Sequence, residues 1–301
     1  MVCAWCRLWC FPMLRVSTAG VAASHCALKT ACCSTNWFAK AMRHLLTSAD
    51  SGDSISPHRV VVEHTRLLDI LSRIADLGPT GEVISLFREA VSCLGAESGV
   101  FLSCLRDDAS RTSLHTLWAC DPEWTAAYAS QRWFENDPWL RYASHEAEPT
   151  RSSDLITVSK EEEAFALAAA AHGFASALVA PAPSQVGLSR VGVLCLGSRT
   201  TACFEGENFS QTRVLARALA MELHHWVLKV MRQELLAGSG LNDADLELLR
   251  YEAAGHSSKA IGAALNLKAK TIDCRFQRVN AKLDAPDRRT AARIARLYGL
   301  L

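Results

Sequence analysis

The feature that most constrains the fold is a series of short helical patterns in residues 241–301. Asn242 or the residue after it is suited to cap a first helix, and Gly255 is suited to end it. Ser257 or its neighbour is suited to cap a short second helix, and two further amphipathic patterns follow. Such short helices bury a core only by packing on one another. The pattern predicts an all-α tetrahelical domain with a helix-turn-helix, which we assign to residues 237–301.

The third helical pattern of this domain has an apolar stripe and a basic opposite face. The stripe residues are spaced at i, i+4, i+7 and i+11: Ile272, Phe276, Val279 and Leu283. The basic residues expected to contact DNA are Lys270, Arg275, Arg278 and Lys282. Within 241–301, eleven Lys or Arg stand against seven Asp or Glu, although the whole chain is near neutral. A basic helix anchored after a tight turn suits the major groove, so we expect double-stranded DNA as a partner.

The motif positions in this segment are those of a known family. Leu241-Asn-x-x-Asp245, Gly255, Thr271-Ile272 and Lys282-Leu283 together resemble the LuxR-type helix-turn-helix. The resemblance adds Thr271 to the expected DNA contacts. The family usually has Thr and Glu where this chain has Asn242 and Asp245, and these changes preserve capping or charge. It usually has Ser before the recognition helix. Lys268 stands there, and we expect the cap of that helix to be weaker.

Residues 60–230 carry helical and strand patterns that alternate along the chain. Amphipathic helices are predicted near 67–77 and 83–94, and a long one over 208–236. Short apolar runs bounded by turn residues predict strands. This order predicts an α+β domain, an α/β/α sandwich around a largely antiparallel sheet. The segment Ala237-Gly-Ser-Gly is interpreted as a short flexible linker to the C-terminal domain.

An aromatic motif in this domain ends on a single acidic residue. Trp124 and Tyr128 share one face of a predicted helix, and Trp133 and Asp137 follow within the next turns. A pocket of aromatic rings with one acceptor suits a neutral, mostly apolar ligand that carries an N–H group. Asp137 also needs a donor, because an unpaired buried carboxylate is costly.

The spacing of this motif is similar to that of the autoinducer-binding domain of LuxR-type regulators. In that family the ligand is an N-acyl-homoserine lactone, and quorum sensing is the function. The resemblance implies that Asp137 accepts from the ligand amide, that Trp124 donates to the lactone carbonyl and that Tyr128 packs on the acyl chain. It also implies a homodimer on a pseudo-palindromic site, with the long helix 208–236 and the fourth helix of the C-terminal domain as candidate dimer contacts.

Three further positions are assigned to the pocket, although this chain departs from the family at each. Cys120 replaces a Tyr that donates to the acyl carbonyl, and Ser152 stands where a second Trp is usual. Cys195 occupies the position of a small hydroxylated residue on a late strand. The lost ring and donor are expected to open the pocket and to loosen selection at the ligand head.

The N-terminal segment, residues 1–55, is assigned to neither domain. It is rich in Cys and Trp and lacks lasting periodicity, so we expect it to be disordered or to precede the true start of translation, for example at Met42. The other cysteines stand singly in apolar contexts and are expected to be reduced core thiols of a cytoplasmic protein. No metal site, cofactor or membrane contact is predicted. The uncharged run 164–189 is interpreted as a helix, a turn and a strand.

Other classes of function are less well supported by the residues. Glu222-Leu-His224-His225 lacks the spacing of a zinc-protease helix, and both histidines are expected on the helix surface, so no enzymatic activity is predicted. A phosphorylated receiver needs clustered acidic residues, whereas this domain offers an aromatic pocket. An orphan regulator that binds a different small ligand, or acts without one, remains the alternative.

Overall fold

The computed structural model describes residues 15–17, 57–78, 82–106, 111–184 and 190–301. The unassigned N-terminal segment therefore lies outside the described residues, apart from one short strand. The described residues form an α/β domain followed by a helical domain, as the sequence predicts.

The elements of the α/β domain follow one another in an alternating order. Its strands are β1 (Arg15–Ser17), β2 (Ser98–Arg106), β3 (Arg111–Ala119), β4 (Thr150–Arg151), β5 (Ser176–Ala182) and β6 (Arg190–Ser198). Its helices are α1 (Pro57–Asp76), α2 (Glu82–Cys93), α3 (Pro122–Ser130), α4 (Pro138–Ala143), α5 (Lys160–Ala171) and α6 (Phe209–Ser239). The strands form one sheet in the order β1-β3-β2-β6-β5-β4, and every neighbouring pair is antiparallel.

Helices cover both faces of this sheet. Successive residues of each strand point to opposite faces, so each strand contributes to two cores. On β2, Phe101 and Leu105 join one apolar core with α1, α2 and α6. Val100 and Leu102 of the same strand join a second core with α3, α4 and α5. This arrangement confirms the predicted α/β/α sandwich with an antiparallel sheet. The aromatic motif belongs to the second core.

Helix α6 is longer than expected and reaches into both domains. Its residues Val227 and Met231 pack in the core of the α/β domain, and Leu235 packs against the core of the helical domain. The helix continues to Ser239 and ends at Gly240, whose φ of 64° suits a glycine. The interpretation of residues 237–240 as a flexible linker is therefore wrong for the first three, because they complete the last turn of the helix.

The helical domain contains α7 (Asp243–Ala253), α8 (Ser258–Ala264), α9 (Ala269–Lys282) and α10 (Arg288–Leu297). Asn242 and Asp245 form a reciprocal capping box, so the two departures from the family motif do preserve the cap of α7. All four residues of the predicted stripe on α9 are buried: Ile272, Phe276, Val279 and Leu283. The tetrahelical domain is confirmed.

The cysteines of the described residues differ in exposure. Cys104 and Cys195 are buried, as expected for core thiols, but Cys203 and Cys274 are exposed. The expectation of buried core thiols is wrong for these two, because Cys203 lies in a turn and Cys274 lies on the solvent-exposed face of its helix. Within the part of the chain that the structure describes, no helix has both the length and the apolar composition to cross a bilayer.

Candidate functional site

The aromatic motif begins on helix α3, which starts at a capped turn. Asp121 accepts from the Glu123 amide as N-cap, and Pro122 occupies the first turn, where its missing N–H costs nothing. Trp124 and Tyr128 lie one turn apart and are both buried, with 1 % and 3 % of their surfaces exposed. Their rings meet edge to face, with centroids 5.9 Å apart.

Asp137 lies at the N-terminus of α4 and is 3 % exposed. Its Oδ1 accepts hydrogen bonds from the amides of Trp139, at 2.8 Å, and Leu140, at 3.1 Å, so it caps the helix. Its Oδ2 accepts a 2.7 Å hydrogen bond from the Tyr128 hydroxyl. The donor that a buried carboxylate needs is therefore supplied by the protein itself.

The environment of Asp137 perturbs its ionisation. Burial raises the pKa of the carboxyl from 3.8 to about 6, although the hydrogen bonds from Tyr128, Leu140 and Trp139 act in the opposite direction. Burial, followed by the nearby Asp137 charge, raises the pKa of Tyr128 well above its ordinary value. The tyrosine is therefore the donor of the pair at neutral pH.

Trp133 offers a donor that has no partner. It begins a short 3-10 turn, Trp133–Glu135, after Arg132, whose φ of 53° reverses the chain. Its indole Nε1 is buried and forms no hydrogen bond with any of the described residues. A buried unpaired N–H is costly, so this atom is available to an acceptor on a ligand.

Phe165 on α5 lies at the centre of the aromatic cluster, and the sequence did not single it out. It is fully buried, and four rings meet it edge to face. The centroid distances are 5.0 Å to Trp139, 5.7 Å to Trp124, 5.8 Å to Trp133 and 6.3 Å to Tyr128. A lone Phe in an alanine-rich helix gives no sequence signal for this position.

An ion pair fixes α4, which carries Asp137, against α5, which carries Phe165. The guanidinium of Arg141 donates to both carboxylate oxygens of Glu162, at 2.6 and 3.0 Å. Arg141 lowers the pKa of the Glu162 carboxyl. A bidentate ion pair holds both side chains in one geometry, so it fixes the spacing of α4 and α5.

In the helical domain, α8 and α9 are joined by a close turn. Asn266 has a φ of 54°, and the Leu267 amide donates to the Gly262 carbonyl at 2.8 Å. A Cβ at Gly262 would lie 2.5 Å from the Leu267 carbonyl oxygen, so only glycine allows this approach. The turn sets α9 at an angle to α8, with its buried stripe inward.

The opposite face of α9 is open to solvent. Lys270, Thr271 and Arg278 are exposed, and Arg275 is half-buried at the side of this face. Cys274 is also exposed and lies between Lys270 and Arg278 on the same face. Lys268 caps the helix without a side-chain hydrogen bond, as expected for a weak cap.

Lys282, at the end of α9, is held by its own domain. Its Nζ donates to the Gly240 carbonyl at 2.7 Å and to Asp245 Oδ2 at 2.6 Å. The half-buried ammonium therefore links the end of α9 to Gly240, which follows α6, and to the first turn of α7. It is less available to a phosphate than Arg278 is.

Both domains match models of known families. Residues 80–226 match the family model of the autoinducer binding domain, and residues 240–295 match that of bacterial regulatory proteins, luxR family. The chain belongs to the LuxR family. It is a transcriptional regulator with an autoinducer-binding domain and a DNA-binding helix-turn-helix.

Solved structures of similar fold agree with this assignment. The crystal structure of Escherichia coli SdiA superposes with a TM-score of 0.62 at 16 % sequence identity, over 79 % of this chain and 98 % of that one. SdiA in complex with octanoyl-rac-glycerol gives a TM-score of 0.55 at 17 % identity, over 79 % and 96 %. At these identities the likeness concerns the fold alone. No curated protein matches this sequence.

Three expected pocket residues of this LuxR-type chain lie in different surroundings. Cys195 is buried in the aromatic core, and this burial, followed by the nearby Asp137 charge, raises the pKa of its thiol well above its ordinary value. Cys120 lies half-buried at the margin of that core. Ser152 is engaged elsewhere, because its Oγ accepts from the Ala177 amide at 3.0 Å.

Two clusters outside the pocket bear on catalysis and metal binding. His224 is buried rather than on the surface of α6, so that expectation is wrong, whereas His225 is exposed. Asp121, Glu123 and His172 bring one potential metal ligand each within 4.8 Å of one another beside Trp124. Glu123 is exposed and the other two are half-buried, and exposed acidic groups of this kind do not alone define a metal site.

Proposed function

We propose that this LuxR-type regulator is controlled by a neutral small molecule with an acyl amide group, and that its effector is an N-acyl-homoserine lactone. The observation that carries this proposal is the pairing of one buried acceptor with one buried unpaired donor. Asp137 Oδ2 is the acceptor and Trp133 Nε1 is the donor. An amide presents both complementary groups, an N–H and a carbonyl.

The apolar shell around these two groups suits an acyl chain. Trp124, Tyr128 and Phe165 provide rings without charge, and Cys195 and Val193 extend the apolar surface along β6. Apolar pockets with a few placed polar groups are typical of small-molecule sites. We assign amide recognition to Asp137, donation to ligand carbonyls to Trp124 and Trp133, and acyl contact to Tyr128.

Selection at the ligand head is expected to be loose. Cys120 is a weak donor, and Ser152 already accepts a backbone amide, so neither replaces the usual aromatic groups of the family. Neither residue therefore fixes the lactone ring strongly.

The DNA contacts are assigned to one face of α9. Lys270, Thr271 and Arg278 are exposed there, and Arg275 reaches the same surface from the side. Long basic side chains on a helix that enters the major groove bind phosphates and base edges. Lys282 serves first to hold α9 on its domain and contributes to DNA binding at most as a peripheral charge.

We further assign a homodimer that acts in the cytoplasm without enzymatic activity. Two-fold operators require two recognition helices, and a regulator reaches DNA only in that compartment of a bacterium. The dimer contacts are assigned to α6 and α10. On α6, Val214 and Met221 are apolar and exposed, seven residues apart on one side of the helix.

A different effector is the second candidate, and one observation favours it. Phe165 occupies the centre of the cluster, so a ligand has to displace it or to lie beside it. SdiA is solved with octanoyl-rac-glycerol, an acyl ester without an amide N–H. An acylglycerol would accept a hydrogen bond from Trp133 Nε1, and Asp137 Oδ2 would accept only from the Tyr128 hydroxyl.

Calorimetric titration with two probes separates these candidates. N-octanoyl-homoserine lactone and octanoylglycerol share an acyl chain and differ in the amide. The proposal predicts that Asp137→Asn weakens lactone binding by at least about tenfold and leaves acylglycerol binding unchanged. Equal loss for both probes, or no binding of the lactone to the wild type, would contradict the proposed effector.

A further inference from the structure

Arg190, the first residue of β6, has its guanidinium buried between the two domains. The residue is 7 % exposed. Its Nε donates to Ser184 Oγ at 2.8 Å, and its Nη1 donates to the carbonyl oxygen of Leu297 at 2.6 Å. Leu297 ends α10, so this hydrogen bond joins the sheet of the sensor domain to the last helix of the DNA-binding domain.

The charge of Arg190 has no carboxylate partner among the described residues. Burial lowers the pKa of the guanidinium. Its neighbour His224 is buried too, and burial, together with Arg190, lowers the pKa of that imidazole to about 4, so it is neutral at physiological pH. The carbonyl end of α10, where the helix dipole is negative, partly compensates this charge.

The Leu297 side chain lies on the sensor side of the contact. It is 1 % exposed and packs in the core formed by the sheet with α1, α2 and α6. The core of the DNA-binding domain is built without it, from residues such as Ala291, Ala295 and Leu300. Leu297 is therefore buried by docking of the two domains and not by the folding of its own domain.

We propose that Arg190 and Leu297 form a releasable latch that docks the end of α10 on the sensor domain and thereby restrains the DNA-binding domain. The docked state gains one charge-assisted hydrogen bond and one buried leucine. It also keeps a charged guanidinium away from water, with no carboxylate partner among the described residues, which is costly. Because these contributions oppose each other, the docked state is open to release.

Docking withholds a surface that DNA binding needs, and this step rests on the proposed function. Helix α10 is one of the two helices assigned to dimerisation, and the latch covers its last turn with the chain's own sensor domain. A second copy competes with the sensor domain for this turn. The latch is therefore autoinhibitory, and its release favours binding to a two-fold site. Strand β6 carries Cys195 on its other face, so latch and pocket share one strand.

Hydrogen exchange of the full chain, read together with DNA affinity, tests the latch. Arg190→Met removes the donor and keeps the length of the side chain. Exchange of amides in 288–301 should become about tenfold faster than in the wild type. Affinity for a two-fold symmetric duplex should rise about threefold to tenfold. Arg190→Lys keeps a donor and should stay close to the wild type, and Arg199→Met, at an exposed arginine just after β6, is the matched control.

Each outcome decides a different part of the proposal. Exchange in Arg190→Met that is equal to or slower than in the wild type overturns the latch. Faster exchange with unchanged or weaker DNA affinity overturns its autoinhibitory role. Failure of the wild type to bind any duplex contradicts the proposed function instead, and exchange still tests docking. If Arg190→Met does not fold, Leu297→Ala replaces it, because this side chain is outside the core of its own domain.

Discussion

The Tyr128 hydroxyl donates a 2.7 Å hydrogen bond to Asp137 Oδ2, and both side chains are buried. The bond joins α3 to the N-terminus of α4, where the other oxygen of Asp137 caps the helix. One carboxylate therefore orders α3 and α4, and in the proposed function it also accepts from a ligand amide.

Tyr128→Phe should raise the pKa of the Asp137 carboxyl above about 6. The hydroxyl favours the charged form, so its removal leaves burial less opposed. The measurement is an NMR titration of the aspartate carboxyl carbons. Tyr142→Phe is the matched control, because that hydroxyl donates to the Glu148 carbonyl on the exterior. An unchanged or lower pKa in Tyr128→Phe would show that the hydrogen bond does not form in solution.

Affinity for N-octanoyl-homoserine lactone should rise as pH rises through about 6 and then level off. In the proposed complex the ligand N–H donates to the carboxylate, and the protonated acid is a weaker acceptor. At about pH 5 the affinity should be roughly tenfold lower than at about pH 7.5. The raised pKa has the opposite effect on folding: the protonated carboxyl stabilises the fold at low pH, and this contribution is lost as pH rises through about 6. In Asp137→Asn the affinity should be independent of pH over this range; a retained pH dependence would assign it to another group.

Phe165→Ala should lower the free energy of unfolding by about 3–5 kcal/mol, because it leaves a cavity among four rings. Saturating N-octanoyl-homoserine lactone should restore part of this loss by filling the space. Chemical denaturation with and without the lactone measures both effects. Leu167→Ala, two residues away and 75 % exposed, should change stability by less than about 0.5 kcal/mol. A loss in Phe165→Ala as small as that of the control would place the ring outside the core.

Arg278→Ala should weaken DNA binding without lowering thermal stability. The exposed guanidinium is expected to neutralise a phosphate, so the slope of log K against log salt should decrease by about one. Binding titrations with a random-sequence duplex at several salt concentrations measure this slope. Arg293→Ala, an exposed arginine on α10, should retain the wild-type slope. An unchanged slope in Arg278→Ala would remove this residue from the interface.

Lys282→Met should lower the free energy of unfolding by about 1 kcal/mol and leave the salt slope of DNA binding nearly unchanged, in contrast to Arg278→Ala. Its ammonium bonds Asp245 Oδ2 and the Gly240 carbonyl, so its loss frees the end of α9 from the rest of the domain. Thermal unfolding and the same salt titration separate the two roles. A large decrease of the salt slope with unchanged stability would return Lys282 to the DNA-contacting residues.

Local patterns allowed most of the fold to be predicted. The apolar stripe from Ile272 to Leu283 has helical spacing and is buried. Its burial can be predicted without knowing which helices pack against it. The Asp137-Pro138 pair starts a helix, because Asp137 caps it and Pro138 occupies the first turn. Caps and periodicity are encoded within a few residues, so they are visible in the sequence.

Contacts between distant residues were not predictable in the same way. Phe165 stands alone in an alanine-rich helix, and its place among four rings depends on how α5 packs. Lys282 and Asp245 are 37 positions apart, so their ion pair depends on the tertiary fold. Helix α6 passes through Gly238 despite its low helix propensity, because Leu235 and Leu236 pack on the DNA-binding domain.

DNA affinity with and without an acyl lactone tests most directly whether the Asp137 pocket controls α9. The dissociation constant is measured for a duplex selected from random DNA, with N-acyl-homoserine lactones of short, medium and long chains. At least one lactone should change the constant of the wild type by about tenfold or more, and the same lactone should have no effect on a variant with both Trp133→Phe and Asp137→Asn. Tight DNA binding that is unaffected by every lactone would contradict control by this pocket.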